Sequence, residues 1–496
     1  VEAFFKKNAD FSDPEGTERA ALDSFIAAEQ NCSSTNAFLD KLFFDPSEDL
    51  MVWGQLEKMR MFIHHLLGDF GPFLDNIPGL VKVTSGATAT SPRKKSLPHL
   101  KLRLRMYGPR RARPFIDALY RYFGFKGPRW RNDSSNRVVF VPKNWKTKRT
   151  IACEPVGSLP LQLAFDTWAK MLLARRWGID LSDQSRNQQL AREGSEDGSL
   201  ATLDLSAASD TLSYNLVAWV LPTPWFEFLD GLRCTHGSLP DGSQVKYEKF
   251  SSMGNGATFS LETLIFAAAC KAVGSNRFSV YGDDIIVERE LVPALSALLA
   301  AIGFTVNKEK SFSTGPYRES CGEHYFQGME ITPFYLRSWP HMENRAPRGS
   351  DLSMLCHNVN GLAKISTPEG ELWELLRQFV QLYRLPLVPF SESTVAGILV
   401  PATQAYALSL IRTSHGISRY RGFQAKVRLR DVSYSYQAYI LWHLRASQRK
   451  SEVESELICS RAPTSATKYT RRWVYWLPPV AVTPPHLYWW GDYLTR

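Results

Sequence analysis

Apolar residues recur at helical spacing near the start of the chain, at Leu22, Phe25 and Ile26 and again at Phe62, Ile63 and Leu66, which predicts amphipathic helices over residues 15–70. Asp45-Pro46-Ser47-Glu48 has the composition of a helix start. Residues 83–99 read as an exposed polar loop that ends in a basic cluster. Val138-Val139-Phe140-Val141 predicts a strand before a turn-rich basic loop, and 161–177 predicts a helix. Residues 200–205 have strand character, and 206–210 start a new element. Residues 261–273 are strongly helical. Ser279-Val280-Tyr281 and Ile285-Ile286-Val287 are β-prone runs separated by Gly282-Asp283-Asp284, which is hairpin punctuation. Residues 291–302 are helical again, with Gly303 as the C-cap. Strands and helices mix without regular alternation, so an α+β core is expected in preference to a doubly wound sheet. Beyond about residue 340 the pattern weakens. The closing segment 471–496, rich in Trp, Tyr and Pro, is read as packing onto the body in preference to stacking on bases. No internal repeat is visible.

The chain has 496 residues, 44% of them hydrophobic, which is ample material for a core and excludes whole-chain disorder. At roughly 100–200 residues per domain, this length predicts about three lobes or one large composite enzyme. No uncharged apolar run reaches the ~18 residues of a spanning helix. Residues 1–7 lack the basic-then-apolar order of a signal peptide, and the chain opens on Val1, as a segment from inside a longer chain would. The seven cysteines are scattered, form no Cys-x-x-Cys pair, and touch a His in sequence only at Cys356-His357. Buried or free thiols in a reducing compartment are therefore expected, not a zinc site or a disulfide framework.

Charge changes the picture more than composition does. The net charge is +10, yet residues 1–80 carry 6 Lys/Arg against 14 Asp/Glu, while 81–150 carry 19 against 2. So concentrated a basic excess fits a polyanion partner better than a solvated face of mixed sign. Within it, Arg103, Arg105, Arg110 and Arg111 alternate with aromatics such as Tyr107, Phe115 and Trp130, a composition suited to a template or nucleotide channel.

The candidate chemistry centres on Tyr281-Gly282-Asp283-Asp284. Two adjacent carboxylates in a tight turn repel each other and resist desolvation unless protonated or paired with a cation. Mg²⁺ meets that need with a hard oxygen shell of one or two carboxylates, waters and substrate phosphates. On the tetrapeptide alone, an exposed turn is an equally good reading. Asp204, at the end of a buried strand, would supply a third ligand and complete a two-metal site, whose ions sit about 3.5–4 Å apart and stabilise both oxygens of an in-line displacement. Taken alone, Asp204 would read as a helix N-cap. Lys143, Lys146, Lys148 and Arg149 put four cations in seven residues, which suits a triphosphate; a solvated loop is the rival. In Ser252-Met253-Gly254-Asn255-Gly256 the glycines let backbone approach a sugar or base, and the Asn amide is of a kind that senses a 2′-hydroxyl; a simple turn is the rival. Lys308 and Lys310 follow the 291–302 helix, where a lysine near departing pyrophosphate could act as general acid.

The order of these elements resembles motifs F, A, B, C and D of right-hand RNA-directed RNA polymerases. The segments 178–185, 200–210 and 251–259, Tyr-Gly-Asp-Asp, 315–322 and Thr332-Pro333-Phe334-Tyr335 are similar to the replicase β subunit of single-stranded RNA bacteriophages, the Qβ-like leviviruses. The likeness is dense over 138–336. It implies an α+β right-hand polymerase with an N-terminal helical region at 1–80 and a basic fingers region with motif F at 81–200. The palm, with motifs A to E, would span 201–336 with a fingers insertion near 211–250, and the thumb and C-terminal region 337–496. It implies two Mg²⁺ ions, replaceable by Mn²⁺, on Asp204, Asp283 and Asp284, with Lys310 as a catalytic residue. Nucleotide binding would fall to Lys143, Lys146, Lys148, Arg149, Ser252, Gly254 and Asn255. Five residues separate Asp204 from Asp210; many viral polymerases use one fewer, a register that falls on Ser209. Either Ser209 or Asp210 is thus left to meet the ribose beside Asn255. The resemblance further implies primer-independent copying of phage RNA from ribonucleoside triphosphates in the cytoplasm of the bacterial host, away from membranes. Host elongation factors Tu and Ts and, for some templates, a ribosomal protein are implied partners. A reverse transcriptase and a non-enzymatic RNA-binding virion protein are the rival readings.

Overall fold

A computed structural model describes residues 13–84, 86–90, 101, 105–124, 126–336, 338–340, 346–366, 370–390, 393–431 and 461–476. These fall into two compact units, one of residues 13–332 and one of the later described residues.

The first unit opens with helices α1 (Pro14–Phe44) and α2 (Leu50–Leu67). Asp13 accepts the free N–H groups of Glu15 and Gly16, and Pro14 needs no partner at the first position, so α1 starts there. The expected start at Asp45 is corrected by four residues. Asp45 caps only the short turn Pro46–Glu48, and Asp49 caps α2 by accepting the N–H of Val52. Phe25, Cys32 and Leu39 of α1 and Leu56, Met59, Ile63 and Leu66 of α2 form the buried faces that the spacing predicts. Of the loop at 83–99, Thr88 is buried rather than exposed, because the Ala89 N–H donates to the Glu154 carbonyl at 3.0 Å; residues 91–99 lie outside the described residues.

Next come the hairpin strands β1 (Ser135–Pro142) and β2 (Lys148–Cys153) and helix α3 (Leu159–Leu172), which runs into a wide turn at Leu173–Trp177. Strand β3 (Leu200–Leu203), helix α4 (Thr258–Ala272) and strands β4 (Ser279–Tyr281) and β5 (Asp284–Glu288) build the centre. The three strands make an antiparallel sheet in the order β3-β5-β4. Helix α4 is apolar on nearly every side and correspondingly buried all round against α2 and α3, giving the sheet a rigid backing. Helix α5 (Val292–Ala301) follows and the chain turns at Gly303, whose φ of +95° only glycine adopts readily. A second hairpin, β6 (Tyr317–Ser320) and β7 (Glu323–Phe326), closes the unit.

The second unit contains α6 (Gly349–Ala363), α7 (Glu371–Leu382) and the parallel pair β8 (Leu387–Pro389) and β9 (Ile398–Val400). An antiparallel sheet of β10 (Ile411–Ser414), β11 (Ile417–Asp431) and β12 (Arg461–Tyr475) completes it. Its core joins Leu355, Val359, Trp373, Leu376, Val388, Ile398 and Tyr420. The packing expected of 471–496 holds for Trp476, which is buried with its indole N–H donating to the Phe390 carbonyl at 3.1 Å. It fails for Trp473 and Tyr475, because strand alternation turns both outward; residues 477–496 lie outside the described residues.

The mixture of helices with antiparallel sheet is the α+β class that the element order implied. Among the described residues, no helix is long and apolar enough to cross a membrane, and the described cysteines are free thiols, as expected.

Candidate active site

The register of the central sheet brings the acidic residues together. Leu203 pairs with Ile285 on antiparallel strands, so the next opposed positions are Asp204, at the end of β3, and Asp284, at the start of β5. Directly opposed residues on such strands have Cα atoms only about 4.5–5.5 Å apart. Asp283 adjoins them in the turn that joins Tyr281 to Asp284. Gly282 makes that turn with a φ of +62°, and any larger side chain there would run into the Phe259 ring.

The three carboxylates are electrostatically coupled. Burial raises Asp284 to about 7, with Asp283 and then Asp204 adding repulsion. Asp283 is likewise raised, by desolvation first, with Asp204 pushing up and Lys310 and Lys143 pulling down. The Lys310 ammonium donates to Asp204 Oδ2 at 3.0 Å, and the Asn307 amide donates to Oδ1 at 3.2 Å. Partial burial opposes the charge on Lys310, but Asp204, joined by Glu319 and Asp283, prevails and raises the lysine. The Cys321 N–H donates to Asp284 Oδ2 at 3.3 Å. Among the described residues, no three His, Cys, Asp or Glu side chains form a ready-made metal shell; Lys310 and the Cys321 amide already engage two of the carboxylates. The donor set nevertheless fits a hard divalent cation. It consists of the carboxylate oxygens of Asp204, Asp283 and Asp284, and burial and repulsion raise Asp283 and Asp284, a strain that a cation relieves.

The basic hairpin divides its cations. Lys143 is lowered, first by desolvation and then by Arg149 and Lys310, while Asp204 and Asp283 act on it in the opposite sense; Lys143 and Arg149 therefore belong to the field of the acidic centre. Lys148, one residue earlier on β2 and so on its other face, pairs with Glu18 of α1. Lys146 is exposed, its ammonium 4.8 Å from the Trp145 ring centre. Strand β2 also holds the glycine loop, since the Ala152 N–H donates to the Met253 carbonyl at 2.8 Å. Gly254, at φ +116°, lies so close to the Ala152 carbonyl that a Cβ would overlap it. Asn255 Oδ1 accepts the Ala257 N–H at 2.9 Å and fixes the entry to α4, and the buried Ser252 hydroxyl has no hydrogen-bond partner among the described residues.

Ser209 and Asp210 separate cleanly. The Ser209 hydroxyl donates to Glu262 Oε2 at 2.7 Å, and Glu262 belongs to α4, beside Gly282. Burial pushes the Glu262 carboxyl up to about 8, the Ser209 bond opposes the shift, and Asp283 and Asp210 add to it. Asp210 is instead tied to Lys249, whose fully buried ammonium also meets Glu29 of α1, both contacts at 2.9 Å. Glu262 and Lys249 were not among the candidates read from sequence, although a carboxylate inside the apolar run of α4 is a visible anomaly.

The basic arginines lie elsewhere in the first unit. Arg105, Arg110 and Arg111 are exposed, and Arg111 pairs with Asp230 at 3.1 Å; Arg103 lies outside the described residues.

A family profile described as RNA replicase, beta-chain, matches residues 2–473. The RNA-directed RNA polymerase subunit beta of Escherichia virus Qbeta is 41% identical over 392 residues, 77% of this chain and 64% of that protein. Its counterpart from Qbeta virus (strain MX1) is 35% identical over 454 residues, 88% of this chain and 75% of that protein. Among solved structures, one described as an RdRp complex aligns with 66% of this chain and 33% of its own, at 12% identity and a TM-score of 0.42. The chain belongs to the RNA replicase β-chain family.

Proposed function

We propose that this chain is the catalytic subunit of an RNA-directed RNA polymerase, a nucleotidyltransferase that extends an RNA 3′ end with ribonucleoside triphosphates on an RNA template. The observation that carries this reading is the β3–β5 register, with Asp204 opposite Asp284 and Asp283 in the adjoining turn. Two Mg²⁺ ions, or Mn²⁺ in their place, would be held by Asp204, Asp283 and Asp284 and would supply charge neutralisation at the attacking and leaving oxygens. Lys143 and Arg149 neutralise the triphosphate, with Lys146 and Lys148 as flanking charge. Lys310 orients Asp204 through its Nζ and carries a proton within the field of the site. Ser209, set by Glu262, faces the ribose together with Asn255 from the loop of Ser252 and Gly254, while Asp210 braces the turn behind them. Arg103, Arg105, Arg110 and Arg111 guide the template.

In this reading, 201–336 is the palm, 81–200 and 211–250 belong to the fingers, 337–496 includes the thumb, and 1–80 is a helical support. Primer-independent copying of a phage genome in the host cytoplasm, with elongation factors Tu and Ts and a ribosomal protein as partners, rests on family membership alone. The test offers the purified chain, with and without host extract, an RNA template and either NTPs or dNTPs, in Mg²⁺ or EDTA. Mg²⁺-dependent incorporation of NTPs is expected. Preference for dNTPs would favour a reverse transcriptase, and RNA binding that persists in EDTA without synthesis would favour a binding protein.

A further inference from the structure

The β10-β11-β12 sheet of the second unit has one face in the core, and the other is open to solvent at the end that carries Arg412, Arg419, Arg421, Trp473 and Tyr475. Ile411 and Tyr420 are buried on the inner side, with Val474 packed against the same core, whereas Phe423 shares the alternate side with Arg421 and is covered there. On the outer side Arg412 is opposite Arg419, Arg419 is opposite Tyr475, and Arg421 is opposite Trp473. The Arg412 guanidinium lies 4.8 Å from the Trp473 ring centre and that of Arg419 lies 4.9 Å from the Tyr475 ring centre. Trp473 is 44% exposed and Tyr475 69%, and the three arginines are exposed as well.

Folding alone does not account for this face. An outward strand position is ordinarily filled by small polar residues or by charges of both signs. Here residues 411–431 and 461–476 hold ten Lys or Arg and one Asp. Among the described residues, no carboxylate pairs with Arg412, Arg419 or Arg421. Arg471 is lowered by burial and next by repulsion from Arg421, so positive charge accumulates uncompensated. Trp473 and Tyr475 stand two residues apart on one strand, about 6.6 Å along it, and the stacked guanidiniums restrain both rings. Flat rings in succession, with cations between them, match alternating bases and phosphates. A duplex would hide its base faces from such rings.

We propose that the outer face of this sheet binds single-stranded RNA, with Trp473 and Tyr475 stacking on bases and Arg412, Arg419 and Arg421 holding the phosphates. The site does not depend on the acidic centre, since it lies in the other unit and uses none of the residues assigned to nucleotidyl transfer.

The test cross-links a 4-thiouridine-labelled single strand of about 12 nucleotides, a length within the range of one such platform, to the full chain and maps the peptides. Affinity for the same strand and for a duplex of equal length is measured alongside. The variants are Trp473→Ala/Tyr475→Ala and Arg412→Gln/Arg419→Gln/Arg421→Gln, with thermal melts to verify folding; should the first melt early, the second carries the test. Wild type is expected to cross-link within 412–421 and 471–476. The aromatic variant should lose those cross-links and bind the single strand about tenfold or more weakly, with duplex affinity nearly unchanged. The arginine variant should show a shallower salt dependence. A chain carrying Asp283→Asn should keep the cross-links whether or not the wild type synthesises RNA. Unchanged affinity with cross-links confined to other segments would overturn the proposal and leave the face to a protein partner. Equal loss on duplex and single strand would overturn the stacking.

Discussion

Lys249→Met removes a cation that has no exposed surface and two carboxylate partners, Glu29 and Asp210, each at 2.9 Å. The same ammonium lies 3.5 Å from the Phe25 ring centre, so the site is dry and aromatic on one side. Met reproduces the stem but leaves two anions facing one another. Neither relaxes easily: Glu29 also accepts the backbone N–H groups of Glu248 and Lys249, at 2.7 and 3.3 Å. Asp210 is held in the turn Ala208–Asp210. Breaking a buried pair by removing one partner costs about 3–5 kcal/mol, and with two carboxylates orphaned the upper end is expected. Urea unfolding of purified Lys249→Met should register that loss. The triple variant Lys249→Met/Glu29→Gln/Asp210→Asn, which removes every charge, should recover most of it, because well-packed neutral groups often replace a buried ion cluster without loss. Because Asp210 adjoins Ser209, whatever Lys249→Met protein remains folded should also discriminate less between NTPs and dNTPs. A single variant as stable as wild type, or a triple variant as unstable as the single, would refute this account of the turn.

Three further outcomes follow from the same geometry. Gly254→Ala should separate the glycine loop from β2, because its Cβ meets the Ala152 carbonyl in a backbone conformation strained for alanine; a steep fall in nucleotide incorporation together with a lowered melting temperature is expected, and normal incorporation would contradict it. Glu262 keeps its proton to about pH 8 in the fold but only to its ordinary 4.5 when unfolded, so its contribution to stability is greatest at low pH and drains as pH rises. The difference between pH 5 and 8 is on the order of 3–4 kcal/mol, and the stability of Glu262→Gln should fall less steeply with pH; parallel curves would contradict it. Charge reversal at Arg103, Arg105, Arg110 and Arg111 should weaken template binding at physiological salt, measured by filter retention, and unchanged binding would move the channel elsewhere.

Much of the acidic centre was legible because its signals are local. Two short β-prone runs flanking Gly282-Asp283-Asp284 specify the hairpin, and the buried run at 200–203 ends on Asp204, so pattern and turn chemistry agree. What failed to show was long-range pairing. Glu29 and Lys249 are 220 residues apart, and Ser209 and Glu262 are 53 apart, so no window over the sequence reveals that one carboxylate sets Ser209 while another, with Lys249, locks Asp210. Asp45 misled because Asp49 competes for the same helix and presents its carboxylate to Val52. The second unit was faint for a different reason. Its strands β8, β9 and β10 are three or four residues long, too short for alternation to rise above noise. Strands β11 and β12 are separated in sequence by residues 432–460, so their pairing, and with it the outward row of Arg, Trp and Tyr, has no local signature.

Nucleotide incorporation by Asp283→Asn addresses the central claim most directly. The substitution preserves the size of the side chain and the Gly282 turn, so the melt and the affinity for RNA should match wild type. If Asp204, Asp283 and Asp284 jointly carry nucleotidyl transfer, incorporation on an RNA template in Mg²⁺ should fall by about 1,000-fold or more. Incorporation near the wild-type rate would contradict it.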